Sequence, residues 1–163
     1  MTIIPLMGGK HPRWTRQLLS AADLEAIAAA VAAAEHETSG EIRVHLERRL
    51  PRAGGAPPGD ALARATEIFT RLGMHATSER NGVLIYLAVE DRKLAIAGDA
   101  GVHARVGDEY WQRVRDAMVE RLRRGEPRDA VLHAVTEVGQ VLRRFFPRRP
   151  DDRNELTDQV SLS

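Results

Sequence analysis

The segment from Gly82 to Val89 contains no charged or amide side chain, so a strand formed by it would be apolar on both faces. A short apolar run of this kind is typical of a β-strand that is covered on both faces. Such a strand needs other strands beside it and helices above and below it. The segment therefore favours a layered α/β domain over a helical bundle or an open all-β sheet.

Two further strands are predicted around this central one. From Glu41 to Arg48 every second residue is apolar, which predicts a strand with one buried face and one face that is wet or only partly covered. Asp91-Arg92 fits a tight turn after the central strand, and Lys93 to Gly98 then returns as a third strand.

Apolar spacing and capping residues predict four helices. Ser20 and Asp23 resemble a capping box at the first of them, and Asp60 can cap the second. The predicted helices cover about Ala21 to Glu37, Asp60 to Leu72, Asp108 to Arg123, and Arg128 to Phe145.

The order of elements is α-β-α-β-β-α-α. A right-handed crossover makes the first two strands parallel, and the hairpin makes the last two antiparallel. We therefore expect a three-layer α/β/α sandwich with a small mixed sheet. We expect an N-terminal extension over residues 1–15, the domain over 16–148, and a polar C-terminal tail over 149–163.

Composition excludes several classes of function. The chain has no cysteine, which rules out disulfides, thiolate catalysis and zinc sites with cysteine ligands. A net charge of +1 argues against a dedicated nucleic-acid binder. The N-terminal apolar stretch is shorter than a signal-peptide core, and no run approaches a membrane span, so we expect a cytoplasmic protein without membrane insertion.

Several short motifs occur in a characteristic order and spacing. They are Ser39–Val44, Thr77–Ile85, Asp91–Lys93, Ile96–Val102, Asp108 with Tyr110 and Trp111, Phe146–Pro147, and Asn154–Leu156. Together they resemble the TPM domain, and most of all its short stand-alone bacterial members, over roughly residues 15 to 160.

The resemblance implies a Rossmann-like α/β/α domain. It also implies binding of a divalent metal ion, Ca²⁺ or Mg²⁺, and leaves two functions open. One is a metal-binding interaction or assembly module with a protein partner. The other is a metal-dependent hydrolase similar to an acid phosphatase. Because the sequence offers no evident nucleophile and base pair, the interaction module ranks first and enzymatic activity stays open.

The predicted strand directions bring polar residues to one edge of the sheet. Glu41 and Asn81 begin the two parallel strands, and Asp99 follows the strand that returns to the same edge. The predicted turn places Asp99 near Leu84. With Asp108 from the next helix, Glu41, Asn81 and Asp99 form an oxygen-ligand set suited to Ca²⁺ or Mg²⁺.

A phosphate or other ligand at this edge would meet three further residues, namely Thr77, Arg80 and His103. Other roles are open for several of these residues. Asp108 can cap its helix, Asp99 can shape a turn, and Glu41 can be an exposed strand residue. Arg80 can satisfy one carboxylate through a bidentate ion pair without any metal.

Overall fold

A computed structural model describes residues 2–3, 13–52, 59–148 and 160–163, with the backbone alone at 2–3. The described part contains four α-helices and five β-strands. The helices are α1 (Ala21–His36), α2 (Ala61–Arg71), α3 (Ala100–Arg123) and α4 (Pro127–Phe145). The strands are β1 (Thr2–Ile3), β2 (Glu41–Glu47), β3 (Gly82–Ala88), β4 (Lys93–Gly98) and β5 (Ser161–Leu162).

Both predicted helix caps are confirmed. The Ser20 hydroxyl accepts from the Asp23 amide at 3.0 Å, and the Asp23 carboxylate accepts from the Ser20 amide at 2.9 Å, which completes the capping box. The Asp60 carboxylate accepts from the amides of Leu62 and Ala63 at the start of α2. These bonds satisfy amides that a helix leaves unpaired at its first turn.

The domain is of the mixed α/β type. The strand order in the sheet is β1-β5-β2-β3-β4, with β2 parallel to β3 and β3 antiparallel to β4. The predicted three strands are therefore only part of the sheet, because β5 joins β2 in parallel and β1 joins β5 in antiparallel fashion. Strands of two residues leave no periodicity to detect in a sequence.

Residues 160–163 correct the prediction of a polar tail, since Val160, Ser161 and Leu162 are buried. The motif Asn154–Leu156, residues 53–58 between β2 and α2, and most of the predicted N-terminal extension lie outside the described residues.

The register of the β3–β4 hairpin differs from the prediction by two positions. Val83 pairs with Gly98, because a four-residue loop replaces the expected two-residue turn. Arg92 in this loop has a positive φ of 53°. Asp99 consequently lies beyond the pairing, with its amide bonded to the Gly82 carbonyl at 2.9 Å, and not near Leu84 as predicted.

The sheet separates two apolar clusters. Val83, Ile85 and Leu87 face α1, α3 and α4. Leu84 and Tyr86 face α2 on the other side. Every residue of β3 is buried, as its two-sided apolar character predicted.

The polar face of β2 is not wet, contrary to the prediction. All seven residues of the strand are buried. Side-chain alternation places Arg43, His45 and Glu47 on the face that α2 covers, and β5 closes the adjacent edge. The sequence pattern could not show that a polar strand face would be covered by equally polar partners.

Helix α3 consists of two helical parts separated by Gly107, which has a φ of 73° and a ψ of 174°. The second part begins at Asp108, as predicted. The first part begins at Ala100, is capped by Asp99 and was not predicted, because two glycines within eight residues favour a loop over a helix. Within the described part of the chain, no helix combines the length and apolar character needed to cross a bilayer.

Candidate functional site

The amino ends of β2 and β3 and the carboxyl end of β4 lie at one edge of the sheet, as predicted. Glu41 pairs with Gly82, and Asp99 bonds to Gly82 through its amide. The loop before β3, residues 77–81, contacts the start of α3 at this edge, which we call the rim.

Arg80 and Asp99 form a bidentate ion pair at the rim. The Arg80 guanidinium donates from Nε and Nη2 to the two carboxylate oxygens, at 2.9 and 3.2 Å. Asp99 also accepts from the Ala100 amide at 2.8 Å, which caps α3. The hydrogen bonds from Arg80 to Asp99 raise the pKa of Arg80 above its ordinary value. The competing role foreseen for Arg80 is therefore the observed one.

The backbone around this ion pair is tightly packed. Arg80 has a φ of 52°, a left-handed conformation that a non-glycine residue adopts only when its surroundings enforce it. A Cβ on Gly101 would lie 2.3 Å from the Glu79 carbonyl oxygen and 2.6 Å from that of Arg80. Glycine at position 101 lets the loop rest directly on the first turn of α3.

A second set of hydrogen bonds joins the loop to β2. The Asn81 amide group donates to the Ser39 hydroxyl at 3.2 Å and to the Glu79 carboxylate at 3.3 Å. The Ser39 hydroxyl donates to Glu79 at 2.7 Å, and the Asn81 backbone amide donates to the Thr77 hydroxyl at 3.2 Å. The site prediction named Asn81 and Thr77 but not Ser39 and Glu79, although both lie in the short motifs.

The side-chain oxygen of Asn81 differs from these groups. Asn81 is 1% exposed, and its Oδ1 has no hydrogen-bond partner among the described residues.

Glu41 is buried at the start of β2. Its side chain alternates to the same face as Arg43, towards α2. Asp99 follows the end of β4 and uses its carboxylate to cap α3 and to bind Arg80. The two predicted ligands thus lie at the same edge of the sheet, but Asp99 is already engaged by Arg80 and by the helix cap.

Asp108 and His103 form a separate surface pair. Asp108 follows the break at Gly107, and its side chain is 96% exposed. Its Oδ1 lies 3.6 Å from the Nε2 of His103. The Trp111 indole donates to the other ring nitrogen of His103 at 3.1 Å, and the Trp111 ring packs against Gly98.

The predicted metal ligands do not fit a single cation. Asp99 is committed to Arg80 and to the α3 cap, Glu41 is buried in β2, and Asp108 is exposed beside His103. Among the residues that the structure describes, no group of three or more His, Asp or Glu side chains is arranged to hold a metal ion.

The end of α4 adds arginines to the same edge. The Phe146 carbonyl accepts from the Ser39 amide at 3.0 Å, and Pro147 forms a bridge with Thr38. This docking brings the basic C-terminal end of α4 beside the rim. We call the combined surface the arginine edge, and it comprises Arg80, Arg105, Arg143, Arg144 and Arg148, all exposed.

Phe145 orders part of this surface. The guanidinium groups of Arg105 and Arg144 lie 5.8 and 5.1 Å from the centre of its ring. Arg143 lies 3.7 Å from Glu37. Arg105 and Arg144 have no ion pair with a described residue. The sequence shows the clustering of arginines near residue 145 but not its proximity to Arg80.

A second polar cluster lies under α2. The Tyr86 hydroxyl donates to Glu47 at 2.8 Å, and Arg64 donates to both Glu47 oxygens at 2.7 and 3.0 Å. The His45 ring stacks on the Tyr86 ring with 6.2 Å between the ring centres, and the Nε2 of His45 lies 2.7 Å from the Ser163 hydroxyl.

Burial and hydrogen bonds both shift the pKa values of this cluster. Burial lowers the pKa of His45 to about 4, the charges of Arg43 and Arg64 add to the effect, and Glu47 opposes it. Burial and the hydrogen bond to Glu47 raise the pKa of Tyr86. Burial disfavours ionised Glu47, but the hydrogen bonds from Arg64 and Tyr86 prevail and lower its pKa. His45 is therefore neutral in the folded protein at pH 7.

Comparisons with known structures place the fold. The chain is 36% identical to the BA42 protein of the psychrophilic bacterium Bizionia argentinensis, with a TM-score of 0.76 over 89% of this chain and 95% of that one. An N-terminal domain from P. gingivalis is 25% identical, with a TM-score of 0.59 over 77% of this chain and 76% of that one. The N-terminal domain of cg2496 from Corynebacterium glutamicum, at 18% identity and a TM-score of 0.56 over 87% of this chain and 88% of that one, shares the fold.

Comparison with curated proteins gives no match. The family model described as the TPM domain matches residues 14–141, most of the domain described above. The chain belongs to the TPM-domain family.

Proposed function

We propose that this chain is an interaction module that binds an acidic polypeptide segment on the arginine edge. The observation that carries the proposal is the docking of the α4 end against Ser39, which gathers five exposed arginines at one edge of the sheet. Guanidinium groups bind carboxylates through paired hydrogen bonds, and a set of them along one edge fits an extended acidic segment.

Two features prepare this surface for binding. Arg80 is held by Asp99 and by its enforced backbone, yet its side chain is 56% exposed. Arg105 and Arg144 are held against the Phe145 ring, which limits the conformational entropy that a ligand must remove. A surface of ordered, accessible cations gains more from an anionic partner than a set of mobile side chains does.

Most polar groups of the rim are already engaged with one another. Asp99 is ion-paired, the Thr77 hydroxyl accepts from the Asn81 amide, and His103 is engaged by Trp111. The Ser39 hydroxyl donates to the Glu79 carboxylate at 2.7 Å, but that carboxylate also accepts from Asn81 and is a weaker base than the histidine that commonly activates a serine. This supports an interaction module over a hydrolase.

A synthetic octaglutamate peptide, titrated into ¹⁵N-labelled protein, tests the proposal. We expect the amide signals of Ser39, Arg80 and Phe145 to shift, and the affinity to fall as salt rises because exposed charges are screened. Arg144→Glu should weaken binding at least tenfold. Arg71→Glu, a matched reversal at an exposed position in α2, should leave it unchanged. Equal effects of the two reversals would refute the arginine edge as the binding surface.

A phosphatase-like hydrolase that depends on Ca²⁺ or Mg²⁺ is the alternative. Its structural support is the buried Oδ1 of Asn81, an oxygen beside Glu79 that has no hydrogen-bond partner among the described residues. Phosphate release from p-nitrophenyl phosphate, measured with and without millimolar Mg²⁺ or Ca²⁺, tests it. Metal-dependent release that Asn81→Ala abolishes in a folded protein would favour the enzyme.

A further inference from the structure

The edge of β2 that faces away from β3 is closed by the last residues of this chain, Val160 to Ser163. Ser161 and Leu162 pair in parallel with His45 and Leu46. The Ser163 amide donates to the Leu46 carbonyl at 2.9 Å. The segment, which we call segment 160–163, thus continues the sheet as an added strand.

Side chains of segment 160–163 are recognised alternately. Val160 and Leu162 are 6% and 2% exposed and join the apolar cluster beneath α1 and α4. Ser161 accepts from the Arg43 Nε, and the Ser163 hydroxyl bonds to His45 at 2.7 Å. One face of the segment is therefore bound by burial of its apolar side chains, and the other face by hydrogen bonds to its hydroxyls.

The contacts of this strand are few compared with those of its neighbours. It pairs with β2 at two positions and with β1 at two, whereas β2 and β3 pair at seven. Although β5 lies between β1 and β2, a strand with so few pairs opens at a lower free-energy cost than a long central strand. Covalent attachment to the rest of the chain nonetheless favours this segment over a free peptide of the same sequence.

We propose that this edge of β2 is a strand-docking site for an extended peptide in which apolar and serine residues alternate, and that segment 160–163 is its exchangeable internal ligand. The partner contributes backbone hydrogen bonds to the sheet, two apolar side chains to the core, and two hydroxyls to Arg43 and His45. This is recognition by strand addition with alternate side chains setting the specificity. The proposal is independent of the arginine edge.

A fluorescein-labelled peptide of residues 156–163 tests this in the full chain. Leu162→Asp places a charge in the apolar pocket and should release the internal strand, so the peptide should bind this variant at least tenfold more tightly than the wild type. Gln140→Asp, which adds the same charge at an exposed position of α4, should behave as the wild type. Fluorescence anisotropy measures all three.

Peptide variants test the recognition itself. Alanine in place of either serine should weaken binding about three- to tenfold, the usual contribution of one hydrogen bond. Aspartate in place of Leu162 of the peptide should abolish binding. A wild-type chain that dimerises by size exclusion, and loses the dimer on Leu162→Asp, would assign the docked strand to a second copy and overturn its role as an internal ligand.

The decisive negative result is a folded Leu162→Asp chain, verified by circular dichroism, that binds the peptide no better than the wild type at 1 mM peptide. If Leu162→Asp does not fold, Leu162→Ala replaces it in the same comparison. The milder variant should still bind the peptide more tightly than the wild type, and equal affinities would overturn the proposal.

Discussion

The carboxylate of Asp99 receives both hydrogen bonds of the Arg80 guanidinium and also caps α3 through the Ala100 amide. One side chain therefore fixes the loop before β3 to the first turn of the helix after β4. The cap and the ion pair use the same carboxylate, but two different substitutions of Asp99 can separate their contributions to stability.

Asp99→Asn should keep the cap and lose the ion pair, whereas Asp99→Ala should lose both. Asparagine caps helices about as well as aspartate, while alanine at a cap costs about 1 kcal/mol. We expect Asp99→Ala to be the less stable variant by about that amount in urea unfolding. Equal stabilities would show that the cap contributes nothing to folding.

Gly101→Ala should be strongly destabilising. Its Cβ would meet two backbone carbonyl oxygens at 2.3 and 2.6 Å, and backbone cannot rotate away as a side chain does. We expect a loss of about 1–3 kcal/mol or more in the free energy of unfolding. Gly59→Ala is the matched control, because nothing lies within 4 Å of its Cβ, and it should be neutral or slightly stabilising.

Acidification should destabilise the protein through His45. Its pKa is about 4 when folded against 6.5 as the ordinary value, so the unfolded chain binds the proton first. The contribution of His45 to the free energy of unfolding is complete above pH 6.5 and is lost as the pH falls towards 4. It amounts to about 3 kcal/mol in total.

His45→Gln should flatten this part of the stability curve relative to the wild type. Thermal unfolding at pH 7, 6, 5 and 4 measures the difference, and carboxylates that titrate in both proteins cancel in the comparison. An identical pH dependence of the two proteins would exclude His45 as the responsible group.

Hydrogen exchange should rank the strands. Amides of Leu84 to Leu87 in β3 lie between two paired strands and under helices on both faces, so they should be the most protected. The amide of Ser163, which donates to the Leu46 carbonyl, should exchange much faster than the amides of β3. Protection of Ser163 equal to that of Ile85 would contradict a weakly held strand.

Much of the fold follows from local pattern. The apolar run of β3 predicts its central position, and the caps at Ser20 and Asp60 predict where two helices start. Pattern fails where tertiary contacts decide. Nothing local to β5 predicts a strand, and nothing in the alternation of β2 reveals that its polar face meets Arg64 and Tyr86.

The candidate site was predictable as a location but not as chemistry. Strand directions bring Asn81 and Asp99 to one edge, as the topology required. They do not show that the Asp99 carboxylate caps α3 or that Glu41 is buried in β2. Nor does the sequence show that Arg80 satisfies Asp99 before any cation does.

The sheet divides the apolar interior into two compartments that share no side chain, since alternate residues of β3 belong to one or the other. A cavity made by shortening Ile85 therefore cannot be filled by enlarging Leu84, because a layer of backbone lies between them. Changes in volume must be compensated within one compartment. The two compartments can accordingly diverge in sequence independently, each constrained by its own helices and by the common strand spacing.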